Sequence, residues 1–426
     1  MNSRFLHLVA TNVIRGRRAY TFHLIDPSRF FHPTTPSHGS TDNIKEMEEF
    51  QLAPSFMTFH GPSQLGDLGA MEFMPLGAPS RKGIVAVDRK CRTILLDTAT
   101  HAVSTMPALR APKVSPVSIS VGDSLYVLKT NAMPDEEHCF EALIRERGPE
   151  SRCSQDWYWH TLPPPPHVLY PSDELNEVCF RDIIGHALFG ASYIWLSTEH
   201  AGTYSFCTVQ RSWSKVGNWA MPFDGRAEYI PELEVSLGFS SDNLLCASDL
   251  VSISLPHPPK LLGKWEDVVQ SEKWTPISSE LVPLGSGKVF IAKFFEIREK
   301  RCIQDDCVYV FTGVELKKSG GQLRMRKHKS MRFTPNYHFR HWLRLAKALL
   351  NTYHGSQLRA KGEERKGYEN ARCSLVVSAP GRHDFSHRLL WCCGPRRGVL
   401  GLALDPPPAS WELHEKPALD SAEDLV

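Results

Sequence analysis

The sequence has no apolar run approaching the roughly 18 residues that a membrane-spanning helix needs, which sets the membrane class aside. Near the N-terminus the one apolar stretch before Arg15, Arg17 and Arg18 is residues 5–10, interrupted by His7 and shorter than the roughly 7–15 residues of a signal-peptide core, so secretion is not expected. Cysteine pairs with CxxC spacing are missing as well. Cys302 and Cys307 are five apart and Cys392 and Cys393 are adjacent, and neither spacing suits a structural zinc site. The 11 cysteines are an odd number spread over 426 residues, a pattern of reduced thiols in the cytosol or nucleus rather than of a disulfide framework. An excess of one charge is also lacking. With 49 Lys+Arg against 47 Asp+Glu, bulk composition favours neither a disordered polyampholyte nor a uniformly basic nucleic-acid binder.

The familiar catalytic signatures are absent too: HExxH, GxSxG and GxxxxGK[ST] do not occur. His338 and His341 lie three apart, and His383 and His387 lie four apart beside Asp384, spacings that could share a helical face. Without a further ligand they read as structural or solvent-exposed histidines. Gly285-Ser286-Gly287-Lys288 lacks phosphate-loop spacing and reads as a hairpin turn that needs glycine at positive φ. No catalytic, cofactor-binding or metal-binding residue is assigned, no cofactor is expected, and the chain is not expected to be an enzyme.

What the sequence does contain, up to about residue 333, is strand and turn. Short stretches rich in β-branched and aromatic residues, such as 83–88 (GIVAVD), 93–97 (TILLD), 193–197 (YIWLS) and 203–208 (TYSFCT), are separated by Gly, Pro, Asp and Asn. Alternation is plain at residues 139–145, where Phe140, Ala142 and Ile144 share one side and Glu141 and Arg145 the other, which predicts a buried face and a wet one.

A phrase of strands ending in an apolar residue and proline recurs: LLDTATHAVSTMPAL (95–109), DWYWHTLPPPP (156–166) and TYSFCTVQRSWSKVGNWAMPF (203–223). Its prolines, Pro107, Pro163 and Pro222, are 56 and 59 residues apart. Two less regular copies follow, around NLLCASD and around KVFIAKFFEI. A unit of this kind resembles a kelch-type blade, a four-stranded antiparallel sheet with a period of about 50 residues. The expected fold is therefore all-β, a kelch-like β-propeller of about six blades. Trp157, Trp159, Trp195, Trp213 and Trp219 are expected between blades. Residues 5–10 and 19–26 read as a hairpin that supplies strands to the closing blade and removes exposed edges. The run Pro163 to Pro166 is expected to stiffen a loop between blades rather than to be a ligand for an aromatic groove.

The propeller is assigned to residues 1–334. Residues 335–354 are expected to form an amphipathic helix, with Trp342, Leu345, Ala346 and Leu349 on one face of HWLRLAKALL. Residues 355–426, without sustained periodicity, read as a poorly ordered, basic tail. Charge is uneven along the chain. Residues 315–400 carry 19 Lys+Arg and 5 Asp+Glu, which leaves 30 against 42 elsewhere. The asymmetry suggests an intramolecular electrostatic contact, a basic surface for an acidic partner or an atypical tail, and within it Arg324, Arg326, Lys327, Lys329 and Arg332 form a dense run that reads as a solvated strand face, with a localisation signal and a basic contact surface as the alternatives. No aromatic residues interleave with it, which disfavours nucleic acid.

Taken in order, RFLHLVATN, AYTFHLIDPSRFF, MPALRAPKVSPVSISVGDSLYVL, DWYWHTLPPPP, GTYSFCTVQRSWSKVGNWAMPFDGRAEYIPEL, LGSGKVFIAKFFEI and VFTGVELKKSGGQLRMRKHKS resemble a large grass family, the domain of unknown function 1668 family, over most of residues 4–333. That resemblance implies likeness to the kelch and F-box-associated propeller proteins of plants, and it carries over no reaction and no catalytic residue. After residue 334 the sequence departs from the family, and the tail reads as a recent extension or an error in the gene model. The functional expectation is a monomeric, non-catalytic interaction scaffold with an unidentified protein partner, located in the cytoplasm, the nucleus or both. Substrate recognition for ubiquitin ligation would need another subunit, because residues 1–70 show no F-box-like helical pattern. A small-ligand or enzymatic site in the central channel is the alternative.

Overall fold

In the computed structural model the described residues are 5–14, 17–32, 47–64, 71–77, 82–130, 132–133, 136–147, 155–166, 183–250, 257–268, 271, 273–297, 306–334 and 346–351. The chain opens with strands β1 (Phe5–Ile14) and β2 (Arg17–Ile25). A 3-10 turn (Pro27–Phe30) and the short β3 (Glu48–Glu49) precede β4 (Met57–Gln64). Quartets of consecutive antiparallel strands follow. The first is β5 (Met71–Gly77), β6 (Lys82–Asp88), β7 (Thr93–Asp97) and β8 (Val103–Met106), and the second is β9 (Val117–Val121), β10 (Ser124–Leu128), β11 (Phe140–Arg147) and β12 (Gln155–Thr161). The third is β13 (Ile183–Phe189), β14 (Tyr193–Thr198), β15 (Gly202–Cys207) and β16 (Ser212–Gly217). The fourth is β17 (Asp224–Ile230), β18 (Val235–Phe239), β19 (Leu245–Ser248) and β20 (Leu261–Trp265). Last come β21 (Trp274–Gly285), β22 (Lys288–Ile297), β23 (Asp306–Ser319) and β24 (Gln322–Phe333), and finally β25 (Ala346–Asn351).

These quartets form a β-propeller, and the packing shows why. The first strand of each quartet meets the first strand of the next: β5 touches β9, β9 touches β13, β13 pairs in parallel with β17, and β17 touches β21. The hydrophobic clusters have the same order. Leu76 and Val85 pack with Leu125 and Trp159, Tyr126 and Phe140 with Leu196 and Phe206, Trp195 with Phe223 and Cys246, and Leu237 and Leu245 with Val289 and Val314. Closure is made by β1 and β2, whose Leu6, Leu8 and Ile25 pack on Phe290, Phe294 and Phe311, while Val9 and Phe22 on their other side meet Phe73 and Ile84. Each sheet is therefore clamped on both faces. That explains strands such as β15, buried at every position, and β22, buried from Val289 to Phe295. A two-sided interior needs continuous apolar text rather than alternation.

Two sequence expectations change here. Glu141, expected on a wet face, is fully buried, because the neighbouring blade covers that side of β11 as well. The expected helix over 335–354 is also corrected: Ala346–Asn351 form β25, antiparallel to β1 with Asn351 opposite Phe5 and Ala346 opposite Val9. β1 would otherwise present an open ladder edge on its inner side, and pairing that edge outweighs a helical periodicity carried by a few residues. β25 also touches β5 and β21, so it stands beside the inner strands. The remainder of the expected helix and the segment 355–426 lie outside the described residues, as do His338, His341, His383 and His387.

Pro107, Pro163 and Pro222 each follow the last strand of a quartet, and the structure shows what holds two of them. Trp159 Nε1–H of β12 donates to the carbonyl of Pro107 at 2.8 Å, and Trp213 Nε1–H of β16 donates to the carbonyl of Pro163 at 2.9 Å. In both cases an outer-strand indole is bonded to the proline that ends the preceding quartet. The indole thus fills an apolar seam while its one polar group is satisfied.

Candidate functional site

The basic run singled out in the sequence lies on β24, the outermost strand of its quartet. Strand register sorts it. Glu315 of β23 lies opposite both Lys288 of β22 and Arg326 of β24, and Lys317 lies opposite Arg324, so these five side chains share one face of the sheet. Leu323 and Met325 point the other way, against Val314, Leu316 and Leu237. Arg324 and Arg326 are exposed, as are Lys317 and Lys318 where β23 turns into β24. The turn is made by Gly320 and Gly321, at φ 59° and 79°, the left-handed pair that a tight hairpin of correct twist requires. The neighbouring turn from β21 to β22 carries Gly287 at φ 70°, where a Cβ would stand 2.3 Å from the Leu316 carbonyl oxygen. No side chain fits there, so the reading of this Gly-Ser-Gly-Lys stretch as a hairpin turn is correct.

Two carboxylates sit among these cations: Glu234, 3.6 Å from Lys318, and Glu315 on the shared face. Lys317 approaches Glu315 at 3.0 Å and His328 at 3.4 Å. Burial raises its pKa, but the hydrogen bonds and charges of Lys317 and His328 outweigh burial and leave it below the usual glutamate range. Burial in turn pushes His328 down, against the pull of Glu315. Lys288 lies 5.2 Å from the centre of the Phe31 ring, and Phe31 also packs against His328. Four cations of the shared face, Lys288, Lys317, Arg324 and Arg326, thus stand around a single acid.

The lower half of β24 is already occupied. β3 pairs with it in parallel, Glu48 opposite Met331 and Glu49 opposite Arg332, and Phe50 N–H donates to the Arg332 carbonyl at 2.6 Å. Lys329 is ion-paired with Glu48, whose pKa that lysine's hydrogen bond and charge hold below the usual range. Phe50 then enters the core beside Phe30 and Phe311. Of the five residues expected at this surface, the structure leaves Arg324 and Arg326 exposed, half-buries Lys327 on the opposite face, and places Lys329 and Arg332 under β3. Lys317, Lys318 and Lys288 were not anticipated, although KKSGGQ before the run was a legible hairpin signal.

Charges in the interior have a different use. Lys113 and Glu141, both essentially inaccessible, form an ion pair, and Glu141 also accepts the Arg110 N–H at 3.1 Å, which pins the segment after β8 to β11. Lys293 bonds Asp267 at 2.7 Å and the Asn243 carbonyl at 2.6 Å, and its Nζ lies 5.0 Å from the centre of the Phe239 ring. Burial pushes Lys293 down and Asp267 up, each opposed by the other's charge. The strand-end aspartates Asp88 and Asp97 accept backbone N–H groups two to four residues on, at 2.9 Å, which is turn chemistry. Among the described residues no three His, Cys, Asp or Glu side chains converge as a metal site would require. A shallow cleft bounded by Pro166, Tyr204, Trp213 and Lys215 opens at the rim beside the proline run.

The family model described as protein of unknown function (DUF1668) matches residues 3–333, and the chain belongs to that family. No curated protein matches it. Among solved structures the chain is similar to the β-propeller domain of Cps50 (Swd1) from Myceliophteria thermophila, with 10% identity, a TM-score of 0.34, and coverage of 75% of this chain and 85% of that one.

Proposed function

We propose that this member of the DUF1668 family is a non-catalytic protein-interaction scaffold of kelch-like propeller type, whose contact surface is the exposed half of β24 and the turn before it. One observation carries the reading. Two buried ion pairs, Lys113 with Glu141 and Lys293 with Asp267, act as pins between blades, whereas Lys317, Lys318, Arg324 and Arg326 present a cationic rim to solvent. A cationic rim on a rigid ring raises the encounter rate with an acidic protein and fixes its orientation. The proline-terminated repeat supports the kelch-like reading, and six blades accommodate the five quartets and the closing sheet.

The test is quantitative affinity purification from grass extracts, the source to which the family resemblance points, using the full chain and its R324E/R326E variant at matched melting temperature. An acidic protein recovered with the parent chain and lost with the variant is expected. The same recovered set with both would overturn the reading. Copurified ubiquitin-ligase subunits would identify the scaffold as a substrate-recognition element.

A further inference from the structure

Among the described residues the outer edge of β24 is unpaired along half its length. β3 pairs with Met331 and Arg332, Lys329 is held by Glu48, and His32 Nε2–H donates to the His328 carbonyl at 2.9 Å, whereas among the described residues no strand pairs with the edge over residues 322–327. An open ladder edge presents N–H and C=O groups that a further strand can satisfy, and natural edges are usually blunted by a bulge, a short length or inward charge. The bulge of β24 falls at residues 328–329, between the Thr312–Ser330 and Val314–Lys327 pairs and level with the start of the covered half, and residues 322–327 beyond it are regular. The covered half also shows what this edge takes. Glu48 and Glu49 lie along it in extended conformation, Lys329 holds Glu48, the Phe50 amide continues the hydrogen bonding, and the Phe50 ring anchors the segment.

We propose that the free half of β24 captures an extended acidic segment of a partner protein by strand addition, continuing the sheet as β3 does. The inference rests on the interaction reading above and gives it a geometry. Main-chain hydrogen bonds to residues 322–327 supply affinity that is indifferent to sequence. Arg324 and Arg326, with Lys317 and Lys288 beside them on the same face, select glutamate or aspartate at alternate positions of the incoming strand. A second copy of this chain would bring another basic strand, and like charges directly opposite destabilise a pair.

The experiment titrates a labelled synthetic peptide of alternating glutamate and valine, and its lysine–valine counterpart, into the full chain, with hydrogen exchange of β24 amides as a second readout. The expected result is salt-sensitive binding of the glutamate peptide alone, about tenfold or more weaker in R324E/R326E, with alternate amides of residues 322–327 protected. Equal binding of both peptides, no binding, binding without amide protection, or concentration-dependent self-association through this edge would overturn the proposal. Loss of partner capture in R324E/R326E without edge protection by the peptide would remove strand addition and leave the interaction reading intact. Capture indifferent to R324E/R326E would remove the reading itself.

Discussion

Lys293 and Lys317 lie on adjacent strands of one sheet and have opposite roles. Lys293 has no accessible surface and spends its charge on Asp267 and the Asn243 carbonyl, while Lys317 is 68% exposed and shares Glu315 with His328. The neighbouring quartet covers Lys293, and the β23–β24 turn that carries Lys317 extends beyond that cover. Position within the blade thus decides whether a cation is a structural pin or stays open to solvent, where the proposed contact surface lies, and each can be attacked separately.

The largest effect is expected inside. Lys293→Met leaves Asp267 buried without its cation and should cost about 3–5 kcal/mol, read as a lower denaturant midpoint. Replacing Asp267 as well should recover part of that loss, because the isolated buried charge is then gone. Trp159→Ala should cost a similar amount, about 3–5 kcal/mol, since the indole is almost wholly buried between two quartets. Trp159→Phe keeps most of the packing and removes the bond to Pro107, for a loss of about 1 kcal/mol. An unchanged melting temperature for Trp159→Ala would refute its place in the seam.

Acid is expected to act at two buried histidines. Burial lowers the pKa of His23 and of His328 from 6.5, so the unfolded chain binds protons at a higher pH than the folded one. Stability from these groups is fully present above pH 6.5 and falls as pH drops toward their folded values. Urea midpoints at pH 7 and pH 5 should therefore differ less in a His23→Asn/His328→Asn variant than in the parent chain. The smallest stability effect belongs to the rim. R324E/R326E should stay within about 1 kcal/mol of the parent, because neither arginine is buried and the main cost is the repulsion of residue 326 by Glu315 directly opposite it. A large destabilisation there would erase the distinction between the two cation classes.

Much of the propeller was legible because its signals are local. Strand text, turn residues and the recurring prolines identify the quartets without knowledge of their neighbours. The uses of Glu141, Lys293 and Asp267 were not legible, because each partner is brought in by blade packing: Lys113 is 28 residues from Glu141, and Asp267 is 26 from Lys293. β25 escaped notice for a related reason, since its pairing partner begins at Phe5, at the far end of the chain. At the candidate surface composition revealed the basic run, but only strand register separates Arg324 and Arg326 from Lys327, and only the return of residues 48–50 shows that Lys329 and Arg332 are covered.

The most direct test of the account is lysine footprinting of the chain alone and bound to a captured partner, with modification read residue by residue. Protection of Lys317 and Lys318, with exposed lysines elsewhere on the ring unchanged, is the predicted result. Protection confined to lysines remote from the β23–β24 turn would contradict the assignment of this rim as the contact surface.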